Sequence, residues 1–353
     1  VNARIVSIGT GLPRGSMTQA QSCAFASELS EQAGARSIRL LYRRTGIERR
    51  GLCIADADGV QRMYERDPGS HGPTTAARLA RFNDYACEMA IPACRKALLR
   101  AELDPGAITH LVVASCTGLE SPGIDQRLIG ALGLSESTQR TIIGFMGCHA
   151  AVNALRVAHA LAVADQSACV LVCCVEVCSL HFSYSGLSDR DLANALFADG
   201  AASAVVRSVK ESAAPQIRSF SARLWPDTAD EMSWRIGNHG FEMGLSRRVP
   251  ELLRAHTRAW IEPWLAGHGL GTRDVGSWAV HPGGPSIITA VQQSLALDDQ
   301  KVELSRRILR DHGNMSSPTV LFILDALMHA NARRPWVTLA FGPGLAGEAM
   351  LLA

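Results

Sequence analysis

Hydrophobic and polar positions fall in blocks along this chain, and the period changes from block to block. Residues 3–13, ARIVSIGTGLP, are an apolar run closed by a Gly/Pro turn and predict a strand. A helical segment is predicted over roughly 17–33. Residues 54–75 are polar and rich in Asp and Gly, and predict a loop. Residues 74–101 carry a helical period, with a break expected at Pro92. From there strand and helix alternate. Strands are predicted over 108–116, 140–145 and 167–177, with another in 199–209; helices are predicted over 123–134 and 148–164. The 148–164 segment is apolar nearly all round, so it should be buried. Runs such as VLVCCVEV are continuously apolar, as central strands covered on both faces should be.

The composition turns polar at 210–215, which places a boundary there and divides the chain into 1–212 and 213–353. The second part restarts the rhythm. A strand runs into a long helix over 233–270, and 275–297 is a strand, a Pro/Gly turn and a helix. Residues 305–331 lead into a buried helix, and 335–353 are two strands about a Gly-Pro-Gly turn. The class is α/β, and two halves of similar rhythm suggest duplication without a letter-level repeat.

Composition narrows the function classes. The chain has 353 residues, 47% of them hydrophobic, enough for about two domains. The net charge is +2 with both signs scattered, and no basic block is interleaved with aromatics, which argues against nucleic acid as a partner. Several of the ten cysteines lie in apolar runs such as ACVLVCCVEVC (168–178), where a free thiol behaves as a small hydrophobe. The opening residues read as a strand and turn rather than a targeting segment, so a reduced, cytoplasmic protein is expected. The close pairs Cys173–Cys174 and Cys174–Cys178 lack zinc-ribbon partners, so no metal is expected. The longest apolar stretch is interrupted by Glu176, so no membrane insertion is expected. Neither GxGxxG nor GxxxxGK[ST] occurs.

Three turns carry candidate chemistry. In GFMGCHAAV (144–152), Cys148 stands where a strand-like run gives way to a helical one. The partial positive charge of a helix N-terminus favours thiolate, the reactive form. VHPGGP (280–285) puts His281 directly after an apolar strand, and HGNMSSP (312–318) puts Asn314 just before a buried helix. Alone, His281 reads equally as a satisfied core histidine and Asn314 as an N-cap. Together they form a set: a cysteine nucleophile, a histidine able to pair with it, and His and Asn N–H groups to stabilise an oxyanion.

GFMGCHAAVNALRVA, AVHPGGPSII, HGNMSSPTVLFILD, ALFADGAAS and LAFGPGL resemble, in order and spacing, the signature stretches of the type III polyketide synthases, the chalcone-synthase-like family. ITHLVVASCTGLESPG (108–123) fits too, so the likeness covers nearly the whole chain. It implies a thiolase-like αβαβα fold of two pseudo-duplicated halves, an acyltransferase and a homodimer, with a cross-subunit contact from the loop about Ser121 and Pro122. No permanently bound cofactor is implied; acyl-CoA and malonyl-CoA are the substrates.

The resemblance also implies residue roles. Cys148 is loaded with the acyl starter, while His281 and Asn314 hold the malonyl carbonyl through decarboxylation. Phe197 and Phe241 match gate phenylalanines, and Ser316 matches a cavity position beside the cysteine. Cys116, Cys178 and His181 stand where plant enzymes commonly carry threonines, and His181 is a large departure. Arg44 matches a basic position that contacts CoA. Arg39 and Ser286 are assigned with it, and Arg43, Arg49 and Arg50 are nearby candidates. Glu176 matches a supporting carboxylate behind the site. The segment 230–246 resembles bacterial members, which points to alkylpyrone or alkylresorcinol-type products. Short or aromatic starters remain open.

A ketoacyl-carrier-protein synthase III, with a single condensation, is the main rival; the HPGGP and GNMSSP wording favours the polyketide branch. A 3-hydroxy-3-methylglutaryl-CoA synthase would need a glutamate base that the matching stretch lacks. The complete Cys, His and Asn set argues against a non-catalytic scaffold.

Overall fold

A computed structural model describes residues 3–29, 35–55, 63–64, 70–184, 188–210 and 212–353. The chain opens on β1 (Ala3–Gly11), β2 (Ser16–Thr18), α1 (Gln19–Leu29), α2 (Ala35–Arg44) and β3 (Arg49–Gly51), the last paired with β2. It continues through α3 (Thr75–Leu79), α4 (Phe82–Arg100), β4 (His110–Ser115), α5 (Ile124–Leu132), β5 (Gln139–Gly144) and α6 (Ala150–Ala164). β6 (Cys169–Val177), α7 (Ser188–Leu196) and β7 (Asp199–Ser208) complete the first half. Five strands make one sheet in the order β1-β7-β6-β4-β5. β4 runs parallel to β5 and β6, and β7 is antiparallel to both its neighbours. All nine residues of β6 are buried, Glu176 included.

The second half holds β8 (Ile217–Leu224), β9 (Met232–Gly237), β10 (Gly240–Leu245), α8 (Val249–Ala266), β11 (Ser277–Val280) and α9 (Pro285–Leu295). α10 (Asp299–His312), α11 (Pro318–His329), β12 (Trp336–Gly342) and β13 (Ala346–Leu352) follow. Its sheet has the order β11-β12-β13-β8, with β11 and β12 parallel and the other pairings antiparallel. Each sheet therefore reads as a parallel pair, an antiparallel strand, then the first strand of its half at the edge. The first sheet carries one strand more, β5.

Helices α6 and α11 lie between the sheets. α6 touches β4, β6 and β7 and also β13; α11 touches β1, β7 and β11. The small residues Ala150, Ala151, Ala154, Ala158 and Ala162 are wholly buried along α6 and let both sheets approach it. α4 and α5 cover the outer face of the first sheet, and α8, α9 and α10 that of the second. The result is the thiolase-like αβαβα arrangement of two pseudo-duplicated halves.

Several elements differ from the reading of the sequence. α4 runs through Pro92, and the interruption falls earlier, at Ala80 and Arg81. Pro92 is exposed, on the face away from the sheet. The opposite face packs so tightly on β1 that a Cβ at Gly9 or Gly11 would stand 2.2 or 2.1 Å from the carbonyl oxygens of Ala93 and Met89. That seam outweighs the single hydrogen bond a proline removes. Residues 232–245 form a hairpin rather than one strand, and β8 and α7 are elements the pattern did not announce. Most of the predicted 54–75 loop, and residues 30–33 of the predicted 17–33 helix, lie outside the described residues. Among the described residues no helix is long and apolar enough to cross a membrane, and no group of His, Cys, Asp and Glu could hold a metal. All ten cysteines are free thiols.

Candidate active site

The chain leaves β5 through two residues of positive φ, Phe145 (55°) and Gly147 (68°), and so turns sharply into α6. Cys148 sits in the single 3-10 turn Gly147–His149 between them. Gly147 has no alternative here. Besides its φ, a Cβ would lie 2.5 Å from Pro343 Cδ, in the turn between β12 and β13. A second strained residue, Ser316 (φ 58°), faces this turn from the start of α11.

Asn314 lies between α10 and α11. Its backbone N–H donates to the Leu196 carbonyl (3.0 Å), and its own carbonyl accepts from Ala198 N (2.9 Å), which bridges it to Phe197. Its Oδ1 accepts from the Ser316 N–H (2.8 Å). Burial pushes the Cys148 thiol up to about 12; a hydrogen bond from Ser316 pulls it down, the Glu176 carboxylate pushes it up, and a hydrogen bond from Asn314 pulls it down. Burial thus opposes the thiolate that the helix N-terminus was expected to favour.

His281 follows β11, and its backbone N–H donates to the Leu339 carbonyl (2.7 Å). The residue is 1% exposed, and neither ring nitrogen has a hydrogen-bond partner among the described residues. No hydrogen bond joins it to Cys148. Burial lowers its pKa to about 3, with nearby His149 acting the same way, so the ring is neutral.

Glu176 is fully buried within β6. It accepts from Ser115 Oγ (3.1 Å), Cys116 N (2.9 Å), Cys116 Sγ (3.3 Å), Thr117 Oγ1 (2.7 Å) and Ser317 Oγ (2.7 Å). Burial raises its pKa, and these donors, Ser317 foremost, pull it back. One carboxylate thus ties the end of β4 to the start of α11. Cys116 Sγ is in turn 3.5 Å from Ser316 Oγ.

A cavity of about 300 Å³ opens on the cysteine. Cys148, Ser316, Cys116, Cys178, His181, Phe197 and Phe241 all line it. His281 and Asn314 are buried and do not form its wall. Trp234, which the sequence reading left without a role, also lines the cavity and donates its indole N–H to the Cys116 carbonyl (2.7 Å). Its signal was a tryptophan inside a polar strand of a chain poor in aromatics.

Arg39, Arg43, Arg44 and Arg49 are exposed on α2 and β3, and Ser286 is exposed in the first turn of α9. None of these lines the cavity. Arg50 differs from them and does not meet solvent. It is 1% exposed and donates to the carbonyls of Asn194 (2.9 Å), Ala195 (2.6 Å) and Phe197 (3.1 Å), closing the C-terminus of α7 beside Phe197.

Residues 1–209 match the model of the chalcone and stilbene synthase N-terminal domain, and residues 216–353 that of the C-terminal domain. The chain is 30% identical to the alpha-pyrone synthesis polyketide synthase-like Pks18 of Mycobacterium tuberculosis, over 99% of this chain and 90% of that one. It is 31% identical to the 1,3,6,8-tetrahydroxynaphthalene synthase of Streptomyces peucetius subsp. caesius, over 99% and 92%. Among solved structures, PKS-I from the brown alga Ectocarpus siliculosus superimposes with a TM-score of 0.95 at 30% identity, covering 100% of this chain and 98% of that one.

Proposed function

The chain belongs to the chalcone and stilbene synthase family, an acyltransferase of the type III polyketide synthase kind, and from that premise we propose the reaction and its residues. Cys148 takes the acyl starter from coenzyme A as a thioester. Neutral His281 is the base available to the protonated thiol as the acyl group transfers. The N–H groups of His281 and Asn314 hold the thioester oxygen of malonyl-CoA while CO₂ leaves. The resulting enolate attacks the acyl-cysteine, and the extended chain returns to the sulfur for another round. Ring closure then releases an alkylpyrone or alkylresorcinol-type product.

The observation that carries this reading is the buried imidazole of His281 with both nitrogens unpaired. Buried polar groups are almost always satisfied, and one kept unsatisfied is a candidate to bind what enters the site. The largely apolar cavity suits an acyl chain. Phe197 and Phe241 narrow its approach, and Ser316, Cys116, Cys178 and His181 contact the chain within it. Arg44, Arg39 and Ser286 meet the phosphates of coenzyme A at its mouth.

The enzyme works as a cytoplasmic homodimer. The edge strand β5 has five of six residues exposed, and Leu119 (49%), Ile142 (50%) and Met146 (38%) form an apolar surface at its end.

The test is a product profile with labelled malonyl-CoA and a ladder of acyl-CoA starters, run beside Cys148→Ala. Labelled polyketides from long-chain starters, absent in the variant, are the expected result. Label only with short or aromatic starters overturns the product class. Condensation only with malonyl-carrier protein overturns the polyketide reading.

A further inference from the structure

His181 commits both ring nitrogens within the cavity wall. Its Nε2 lies 2.7 Å from the Thr117 carbonyl oxygen, and its Nδ1 lies 2.9 Å from the Phe241 backbone nitrogen. A carbonyl only accepts and a backbone N–H only donates, so Nε2 carries the proton and Nδ1 is bare. One neutral tautomer uses both nitrogens, and a proton added at Nδ1 would face the Phe241 N–H. Burial lowers the ring's pKa to about 3; the Thr117 carbonyl works against this and the nearby Arg78 guanidinium with it. His181 is thus available as neither acid nor base.

What it does is join two parts of the chain. Thr117 follows β4, in the first half; Phe241 belongs to β10, in the second. Phe241 pairs with Ile236 in a ribbon of only two strands. Such a ribbon leaves alternate backbone N–H groups without a strand partner, and His181 takes the one at Phe241. Its ring also stacks on the Phe241 ring, centroids 4.1 Å apart and planes at 10°. Trp234, on β9, stands edge-on to both rings, 5.5 Å from His181 and 5.8 Å from Phe241. With the indole bond to Cys116, two successive carbonyls after β4 are tied to the hairpin. The hairpin's turn is held separately, by Thr75, whose Oγ1 accepts from Gly240 N (2.9 Å) and whose N–H donates to the Asn238 carbonyl (2.9 Å).

We propose that His181 is a positioning residue that clamps the turn end of the β9–β10 hairpin, at Phe241, onto the segment that follows β4, and thereby fixes the Phe241 and Trp234 walls relative to Cys148. The consequence, that the clamp limits the length of the released product, rests on the polyketide reading; the clamp itself does not.

Residue-resolved amide exchange at Phe241 and the product profile test it in the wild type, His181→Asn and His181→Leu. An asparagine carbonyl can accept the Phe241 N–H, whereas leucine has comparable bulk and no acceptor. Exchange at Phe241 should rise about tenfold in His181→Leu and stay near wild type in His181→Asn. The ratio of longer to shorter polyketides should shift about tenfold in His181→Leu and recover in His181→Asn. If His181→Leu does not fold, His181→Ile, also without an acceptor, takes its place in both measurements, with the same result expected. Equal exchange in all variants overturns the clamp. A product shift that asparagine does not rescue also overturns it, by making ring volume the cause. A wild type that makes no polyketide, with exchange responding as expected, removes the polyketide reading and supports the clamp.

Discussion

His181 and His281 are both buried and both neutral, yet their surroundings are opposite. His181 has a partner on each ring nitrogen and an aromatic ring against its face. His281 has no partner on either nitrogen among the described residues. A buried imidazole that is fully engaged has spent its hydrogen bonds on holding the cavity wall. One left unengaged costs stability in the resting protein and keeps its hydrogen bonds for whatever enters. The same residue type at the same depth therefore has its hydrogen bonds committed in one place and open in the other, and the proposed roles follow from that difference.

Substitution should separate the two most sharply in activity. His281→Leu should lower the rate of condensation by ~10²–10³-fold, the usual loss for one oxyanion donor, with little change in thermal midpoint. A variant that melts well below wild type while still condensing would break the contrast.

Glu176 lies at the engaged extreme, and Glu176→Gln turns an amide NH₂ toward groups that are themselves donors. A loss of about 2–4 kcal/mol in urea unfolding is expected. His181→Leu, which orphans the Phe241 N–H and the Thr117 carbonyl, should cost about 1–3 kcal/mol in the same measurement. His281→Leu should cost less than either.

Acid sharpens the comparison further. Each histidine stays neutral when folded down to about pH 3 and takes a proton near pH 6.5 when unfolded. The unfolded chain then binds more protons in that window, so stability present above pH 6.5 is lost as the pH falls. Asp199 works the other way. Burial raises its folded value to about 6, so it favours the folded state as the pH falls through 6. Urea midpoints at pH 7 and pH 5 should show His281→Leu losing less stability than wild type, by up to about 1.4 kcal/mol per pH unit. The smallest effect is expected at the exposed arginines. Arg44→Ala should raise the KM for malonyl-CoA about threefold at low salt, and less as salt screens the phosphate contact.

The two histidines also show how far the sequence could be read. His281 stands out in the sequence as a candidate because it follows an apolar strand and precedes a Pro/Gly turn, and Cys148 and Asn314 occupy similar junctions. Such places are marked by local residue types. The partners of His181 lie 64 and 60 positions away in the chain, and no local pattern announces them. Arg50 is the same lesson at the surface. It stands in a run of exposed arginines and reads like them, but its guanidinium is buried on carbonyls of α7. β8 lacks a continuous apolar run because much of it faces solvent at the sheet edge, and Leu224 at its end is 65% exposed. Pro92 misled because its cost is local, while the seam that overrides it involves a strand some 80 residues earlier.

The turn that presents Cys148 has one more consequence. Gly147 is shaped by Pro343, which follows it by nearly two hundred residues and joins the two final strands of the second sheet. A ribosome therefore exposes the sulfur long before it makes the surface that sets the sulfur's place. Until β12 and β13 have been synthesised and paired, the nascent chain carries this thiol without the turn that positions it.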